Sequence, residues 1–303
     1  MSATPESYQS AAQITPASTA TTAAAATATT TAATAAATWQ TPDGWQQGRG
    51  AWGGLVIAAL LNAATDAVAA TNAVAATDAT DAVEEPTRPL RQVMCSIMAP
   101  VVVGAQTITT EILRAGSALT VAKSVLYDAA GATCAIAIAT FGSERADDVA
   151  PPYKDWGSVR APQLPAFEEV AELPEAPGLA PVFFKHCSFR PVTGWPTSGS
   201  LTTSGWLAPR VAPTEWTAPL LLGFVDAWWP CAFSIMPMVR PAATISFSAQ
   251  ILIDPKTVGA GDAFAYESFP SAAHAGYASE VRRLWTADGR LAVDNMQTIA
   301  IIK

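Results

Sequence analysis

What most constrains this chain is an order of elements that occurs twice. In the first half, residues 53–70 (GGLVIAALLNAATDAVAA) have helical spacing and are followed by four segments of strand composition at 92–98, 106–113, 120–127 and 134–141. Leu55, Val56, Ala59, Leu60 and Ala63 fall on one helix face, and the first turn is apolar nearly all round, so the helix start is expected to be buried. The four segments are rich in Val, Ile and Thr, with turn signals between them at 100–104, 114–117 and 128–131. In the second half, residues 181–190 have strand character, 220–233 (LLLGFVDAWWPCAF) form an apolar helix, and strands follow at 244–253, 262–269, 277–285 and 291–302. The turn at 287–290 (ADGR) echoes the one at 128–131 (DAAG). An antiparallel meander presents one apolar face, and the apolar helix before it is the element available to cover that face. The implied organisation is a low-complexity tail over 1–37, one unit over 38–145, a Pro- and acid-rich linker over 146–178 and a second unit over 179–303. Residues 69–83 read as an extension of the first helix or as a loop, with no function attached.

The second apolar stretch contains one carboxylate, Asp226, between Phe224 and Trp228. An ionised aspartate costs several kcal/mol to bury without a partner, and no Lys or Arg lies between Arg210 and Arg240. Two readings stand. Such surroundings raise a carboxylate's pKa and suit it to act as a general base. Alternatively, Asp226 caps a short helix begun by Ala227, with Pro230 near its first turn.

Net charge of -8 and a pI near 4.8 argue against nucleic acid bound through a basic face. Cys95, Cys134, Cys187 and Cys231 are scattered among apolar or small residues, as buried free thiols in a reducing compartment are, although four could also make two disulfides. The first 37 residues are mostly Ala, Thr and Ser and lack the positive segment of a secretory signal and the arginines of a mitochondrial one. They read as a disordered tail, although threonine-rich residues from about 27 onwards could join an edge strand. The apolar run 53–64 is too short to span a bilayer and ends at Asp66. The expectation is a soluble cytoplasmic protein without membrane insertion.

A buried helix wrapped by an antiparallel sheet, occurring twice, resembles the double-hotdog acyl-CoA thioesterase II (TesB-like) family, an α+β fold. The first half carries the resemblance in 49–54 (RGAWGG), 113–117 (LRAGS) and 139–142 (ATFG). The second carries it in 223–230 (GFVDAWWP), 243–245 (ATI) and 288–297 (DGRLAVDNMQ). It covers the chain from about residue 38 to its last residue.

The resemblance implies hydrolysis of acyl-CoA to a free acid and CoA without a cofactor. Asp226 would be the base, and Thr244 and Gln297 would orient the water. Backbone N–H groups at Gly53 and Gly54 would face the oxyanion, and Trp228 would line the acyl tunnel. By strand alternation Gln297 shares the apolar face of Leu291, Val293, Ile299 and Ile301, which suits either a site or a satisfied structural amide. Thr244 shares its face with Ser246, Ser248 and Gln250, a solvent-type stripe, and the loop spacing lets Ser246 take the hydroxyl role instead. The strands at 93–100 (VMCSIMAP) and 250–255 (QILIDP) lack the histidine and aromatic residues frequent there in the family, which touches the CoA and acyl contacts more than the chemistry.

The two histidines, His186 and His274, are not spaced as a metal set with Cys or carboxylates, and no GxSxG elbow occurs. The Gly-rich patch 48–54 lacks the Lys and Ser/Thr of a phosphate loop. The alternative reading is a double hotdog that binds acyl-CoA without cleaving it. A hydratase ranks below both, because neither helix contains histidine. Because a tandem hotdog already pairs its two helices internally, the sequence leaves a homo-oligomer open.

Overall fold

The computed structural model describes residues 6–17, 34–78, 88–145, 159–175, 178 and 180–302. The tail segment 18–33, the low-complexity residues 79–83 and the linker residues 146–158 and 176–177 lie outside them. The first unit contains α1 (Tyr8–Ala11), β1 (Thr15–Pro16), β2 (Thr34–Thr41), a small hairpin of β3 (Gln46–Gln47) and β4 (Gly50–Ala51), and α2 (Gly53–Asp78). Four strands follow: β5 (Leu90–Ile97), β6 (Gly104–Ala115), β7 (Leu119–Tyr127) and β8 (Thr133–Gly142). The second unit contains β9 (Cys187–Thr193), β10 (Thr203–Pro209), α3 (Ala218–Phe224), α4 (Ala232–Ile235), β11 (Ala242–Ile251), β12 (Phe264–His274), β13 (Tyr277–Thr286) and β14 (Leu291–Ile301).

Twelve of these strands form one antiparallel sheet in the order β1-β2-β6-β7-β8-β5-β11-β14-β13-β12-β10-β9. Read outward from the β5–β11 pair, the two halves have matching order, with the first strand of each meander beside its last. The halves are joined through Phe247↔Cys95 and its neighbours. Both meanders fall where Val/Ile/Thr content and turn residues place them. β2 takes up the strand reading left open for the threonine-rich residues after about 27, whereas β1, β3, β4, β10 and the 3-10 turn Val182–His186, which replaces the first part of the strand expected over 181–190, were not anticipated.

The helices differ from expectation in an instructive way. The first runs to Asp78, so that of the two readings of residues 69–83 the helical extension holds as far as Asp78. By length and composition its first twenty residues, and the segment 218–235, would each cross a bilayer, contrary to the estimate from 53–64 alone. Two-thirds and nine-tenths of those windows, respectively, are buried inside the molecule, where core helices belong. The stretch 220–233 is broken instead of continuous. Thr217 caps α3 with Pro219 in its first turn, the chain tightens into a 3-10 turn at Val225–Ala227, and Trp228 is extended ahead of Pro230. Asp226 therefore sits in a turn between two short helices. It caps neither, because α4 begins at Ala232 with no side-chain cap.

The two central helices meet at a pair of glycines. A Cβ on Gly223 would lie 2.2 Å from the Gly54 carbonyl oxygen and 2.1 Å from Tyr8 Oη, and one on Gly54 would lie 2.3 Å from the Gly223 carbonyl oxygen. Tyr8 Oη donates to that same Gly54 carbonyl at 3.0 Å. Residues 6–17 are thus no tail. Trp39 Nε1 donates to the Ala11 carbonyl, Asn62 Nδ2 donates to the Ala12 carbonyl, and Gln9 Oε1 accepts from Thr214 in the second half. All four cysteines are free and buried. Because the obstruction at Gly223 includes the Gly54 backbone as well as Tyr8, Gly223→Ala is expected to destabilise the fold by about 3 kcal/mol; thermal unfolding measures this.

Candidate active site

Asp226 is 5% exposed, and its surroundings come from both halves of the chain. Its Oδ2 lies over the start of α2, where a Cβ on Gly53 would stand 2.9 Å away. On β13, alternation turns Glu280, Arg282 and Leu284 inward, opposite Gln297, Asn295 and Val293 of β14. Arg282 Nη1 reaches Asp226 Oδ1 at 3.4 Å and donates to the main-chain carbonyls of Asp226 (3.2 Å) and Trp228 (3.1 Å). Glu280 Oε1 accepts from Arg282 Nε at 2.5 Å, and its other oxygen accepts from the Cys231 N–H at 2.7 Å.

The Gln297 side chain lies between Asp226, Thr244 and Arg282. An amide's oxygen and nitrogen are distinguished by their partners, not their shape. With the nitrogen pointing at the guanidinium, donors would face donors, and only a Thr244 hydroxyl bond to the oxygen at 3.0 Å would form. In the reverse orientation the oxygen accepts from Arg282 Nη1 at 3.0 Å, while the nitrogen donates to Asp226 Oδ1 at 3.2 Å and Thr244 Oγ1 at 3.0 Å. The second orientation satisfies every group.

Thr244 reaches Gln297 because β11 carries a bulge. Its register with β14 shifts between Thr244 and Ser246, so Ile245 is the extra residue. Thr244 then joins Phe247, Ala249 and Ile251 on the inner side, while Ser246, Ser248 and Gln250 remain on the outer one. The shared solvent stripe expected for Thr244 and Ser246 is therefore absent. A depression of about 330 Å³ that Ser246 and Ser248 help to line, with Met94 and Met296, opens on the outer face and not over Asp226.

Burial raises the Asp226 carboxyl from 3.8 to about 6, against the lowering effect of Arg282, the Gln297 amide and the Gly54 N–H, with Glu280 adding to the rise. The N–H at Gly54 is thus turned toward the carboxylate. Tyr8 and Cys95 also face Asp226. Burial keeps both protonated, the Cys95 thiol being pushed up to about 12, and the carboxylate's charge adds to each shift. The Trp228 indole stacks on Tyr266 at 4.7 Å and is 2% exposed, so its ring is core and its carbonyl is what meets the site. Among the described residues no cluster of His, Cys, Asp and Glu could hold a metal ion.

The structure thus brings Asp226, Thr244, Gln297 and the Gly53–Gly54 helix start together. Sequence reading missed Arg282, Glu280 and Tyr8. For the first two, the alternation of β13 was the available signal, blurred because Leu284 and Trp285 are both apolar.

Two fused units, each a helix wrapped by an antiparallel sheet, define a double-hotdog protein. Residues 41–142 match the acyl-CoA thioesterase N-terminal domain family, and residues 165–301 match the acyl-CoA thioesterase C-terminal domain family. The chain belongs to this TesB-like double-hotdog family. Similar solved structures include a candidate thioesterase II from Thermobifida fusca YX (15% identity, 99% of each chain, TM-score 0.73). A conserved hot dog protein from Alicyclobacillus acidocaldarius is also similar (18% identity, 88% of this chain and 93% of that one, TM-score 0.72). A third is the tesB protein of Mycobacterium avium subs paratuberculosis (14% identity, 88% and 93%, TM-score 0.67). At these identities the structural likeness speaks to fold. No curated protein gives a significant sequence match.

Gly53→Ala is expected to fold, since alanine suits a first helical turn, but to push the Asp226 carboxylate aside. A crystal structure would then have Gln297 beyond hydrogen-bonding distance of Asp226.

Proposed function

We propose that the protein hydrolyses acyl-CoA thioesters, with Asp226 as general base and Thr244 and Gln297 orienting the attacking water. The observation that carries this reading is the Gln297 nitrogen set between Asp226 Oδ1 (3.2 Å) and Thr244 Oγ1 (3.0 Å) in an enclosed surround. Since Thr244 accepts from that amide, its own proton is free to point at a water. In the resting arrangement both amide hydrogens are engaged, so a water entering between carboxylate and hydroxyl takes over one of them. Asp226 removes a proton as the water oxygen bonds to the thioester carbon. The tetrahedral oxyanion then collapses, the C–S bond breaks, and the proton passes from Asp226 to the leaving sulfur. Acid and CoA result, with no cofactor. The helix start at Gly53 is assigned the oxyanion because a helix N-terminus favours negative charge. We further infer that the protein acts as a soluble cytoplasmic enzyme without nucleic-acid partners.

A base must be ionised to work. Because the Asp226 carboxyl is raised to about 6, the rate is expected to fall as pH drops through about 6 rather than through the ordinary aspartate range near 3.8. Asp226→Asn should abolish thiol release across an acyl-CoA chain-length panel while leaving the thermal unfolding transition in place. An unimpaired variant would contradict the assignment.

A second reading is non-catalytic acyl-CoA binding, supported by the fact that Arg282 already engages the carboxylate. Saturable acyl-CoA binding without thiol release by the unmodified protein would favour it.

A further inference from the structure

Three residues of the buried cluster have no part in the water-activation scheme above: Arg282, Glu280 and the Cys231 main chain. Arg282 and Glu280 are each 1% exposed. Enclosing a guanidinium with two carboxylates is a costly way to stabilise a fold, since well-packed apolar side chains do as well or better. The geometry points to a different use. We propose that Arg282, clamped by Glu280, is a positioning residue that holds the Gln297 amide with its nitrogen toward Asp226 and Thr244.

An unrestrained amide could turn over and present its carbonyl oxygen to Asp226, which would repel the carboxylate and leave Thr244 to donate inward. Arg282 removes that option by offering donors to the amide oxygen, Nη1 at 3.0 Å and Nη2 at 3.2 Å among them. The guanidinium is itself fixed from three sides, by Glu280 Oε1 and by the carbonyls of Asp226 and Trp228. Glu280 is anchored in turn by the Cys231 N–H at the entry to α4. A chain of hydrogen bonds thus runs from the turn after Pro230 through Glu280 and Arg282 to Gln297. A planar fork suits this role, because Nε faces Glu280 while Nη1 and Nη2 reach the Gln297 oxygen, a rigid spread of donors that a compact ammonium does not offer.

The same cation sets the charge balance of the base. The groups facing Asp226 are Tyr8 from α1, Cys95 from β5, the Gly54 N–H from α2, Glu280 and Arg282 from β13, and Gln297 from β14. Arg282 is the one cation among them and the chief influence opposing the rise that burial imposes.

The proposal rests on the hydrolase reading, and its test separates the two. Initial rates of thiol release from acyl-CoA are followed against pH for the unmodified protein and for the double variant Arg282→Met/Glu280→Gln. The double variant loses one positive and one negative charge together and keeps an acceptor for Cys231. It is expected to fold, to lose about tenfold or more in kcat at neutral pH with KM within about twofold, and to show its acid limb at higher pH. A folded double variant with unchanged kcat and an unmoved limb overturns the role of Arg282 while leaving the hydrolase intact. Absence of turnover by the unmodified protein removes the hydrolase reading, and this proposal with it. Should the double variant fail to fold, Arg282→Lys decides. A lower kcat with the acid limb in place supports the positioning role, and an undiminished kcat overturns it.

Discussion

Two helices from different halves of the chain touch backbone to backbone at Gly54 and Gly223, and the site depends on that contact. No side chain other than hydrogen fits either position, since a Cβ at each would run into the opposing carbonyl and an aromatic side chain, Tyr8 at Gly223 and Trp52 at Gly54. Closeness here brings the first turn of α2 over the turn that follows α3, so the N–H groups at one helix start face a carboxylate in the other half. Tyr8 seals the crossing by donating to Gly54 while its ring packs 5.2 Å from Trp52 and 5.9 Å from Phe224. The sheet supplies the complement. β5 and β11 pair at its centre, so one continuous surface wraps both helices and delivers β13 and β14 to the same point.

Electrostatics inside this enclosure are a balance of opposing influences. Burial favours a neutral Asp226, and so does the nearby Glu280, whereas Arg282, the Gln297 amide and the helix start favour the charged form. Arg282 serves two carboxylates at once, so neither is left as an isolated buried charge. The result is a carboxyl poised near 6, high enough to accept a proton readily and low enough to be ionised at neutral pH.

Much of this was legible in the sequence, for identifiable reasons. The repeated helix-then-meander order follows from residue periodicity and turn chemistry, which are local. The inward face of Gln297 follows from strand alternation, and that prediction agrees with its burial. Local signals failed wherever a distant residue or an irregularity decided the outcome. The ion-pair partner of Asp226 lies 56 positions away on another strand, so a search limited to the neighbouring sequence found none. The bulge at Ile245 moves Thr244 to the inner side without any glycine or proline to announce it. Tyr8 lies near a low-complexity stretch, and its value comes entirely from a partner 46 positions on.

The central claim is that Asp226 is enclosed yet titrates within the range where a base is useful. An infrared difference titration, subtracting the spectrum of Asp226→Asn from that of the unmodified protein across pH, isolates this one carboxyl. The account predicts that the protonated C=O band disappears and the carboxylate band grows with a midpoint near 6. A midpoint near the free-aspartate value of 3.8, or a band that stays protonated well past neutrality, would contradict it.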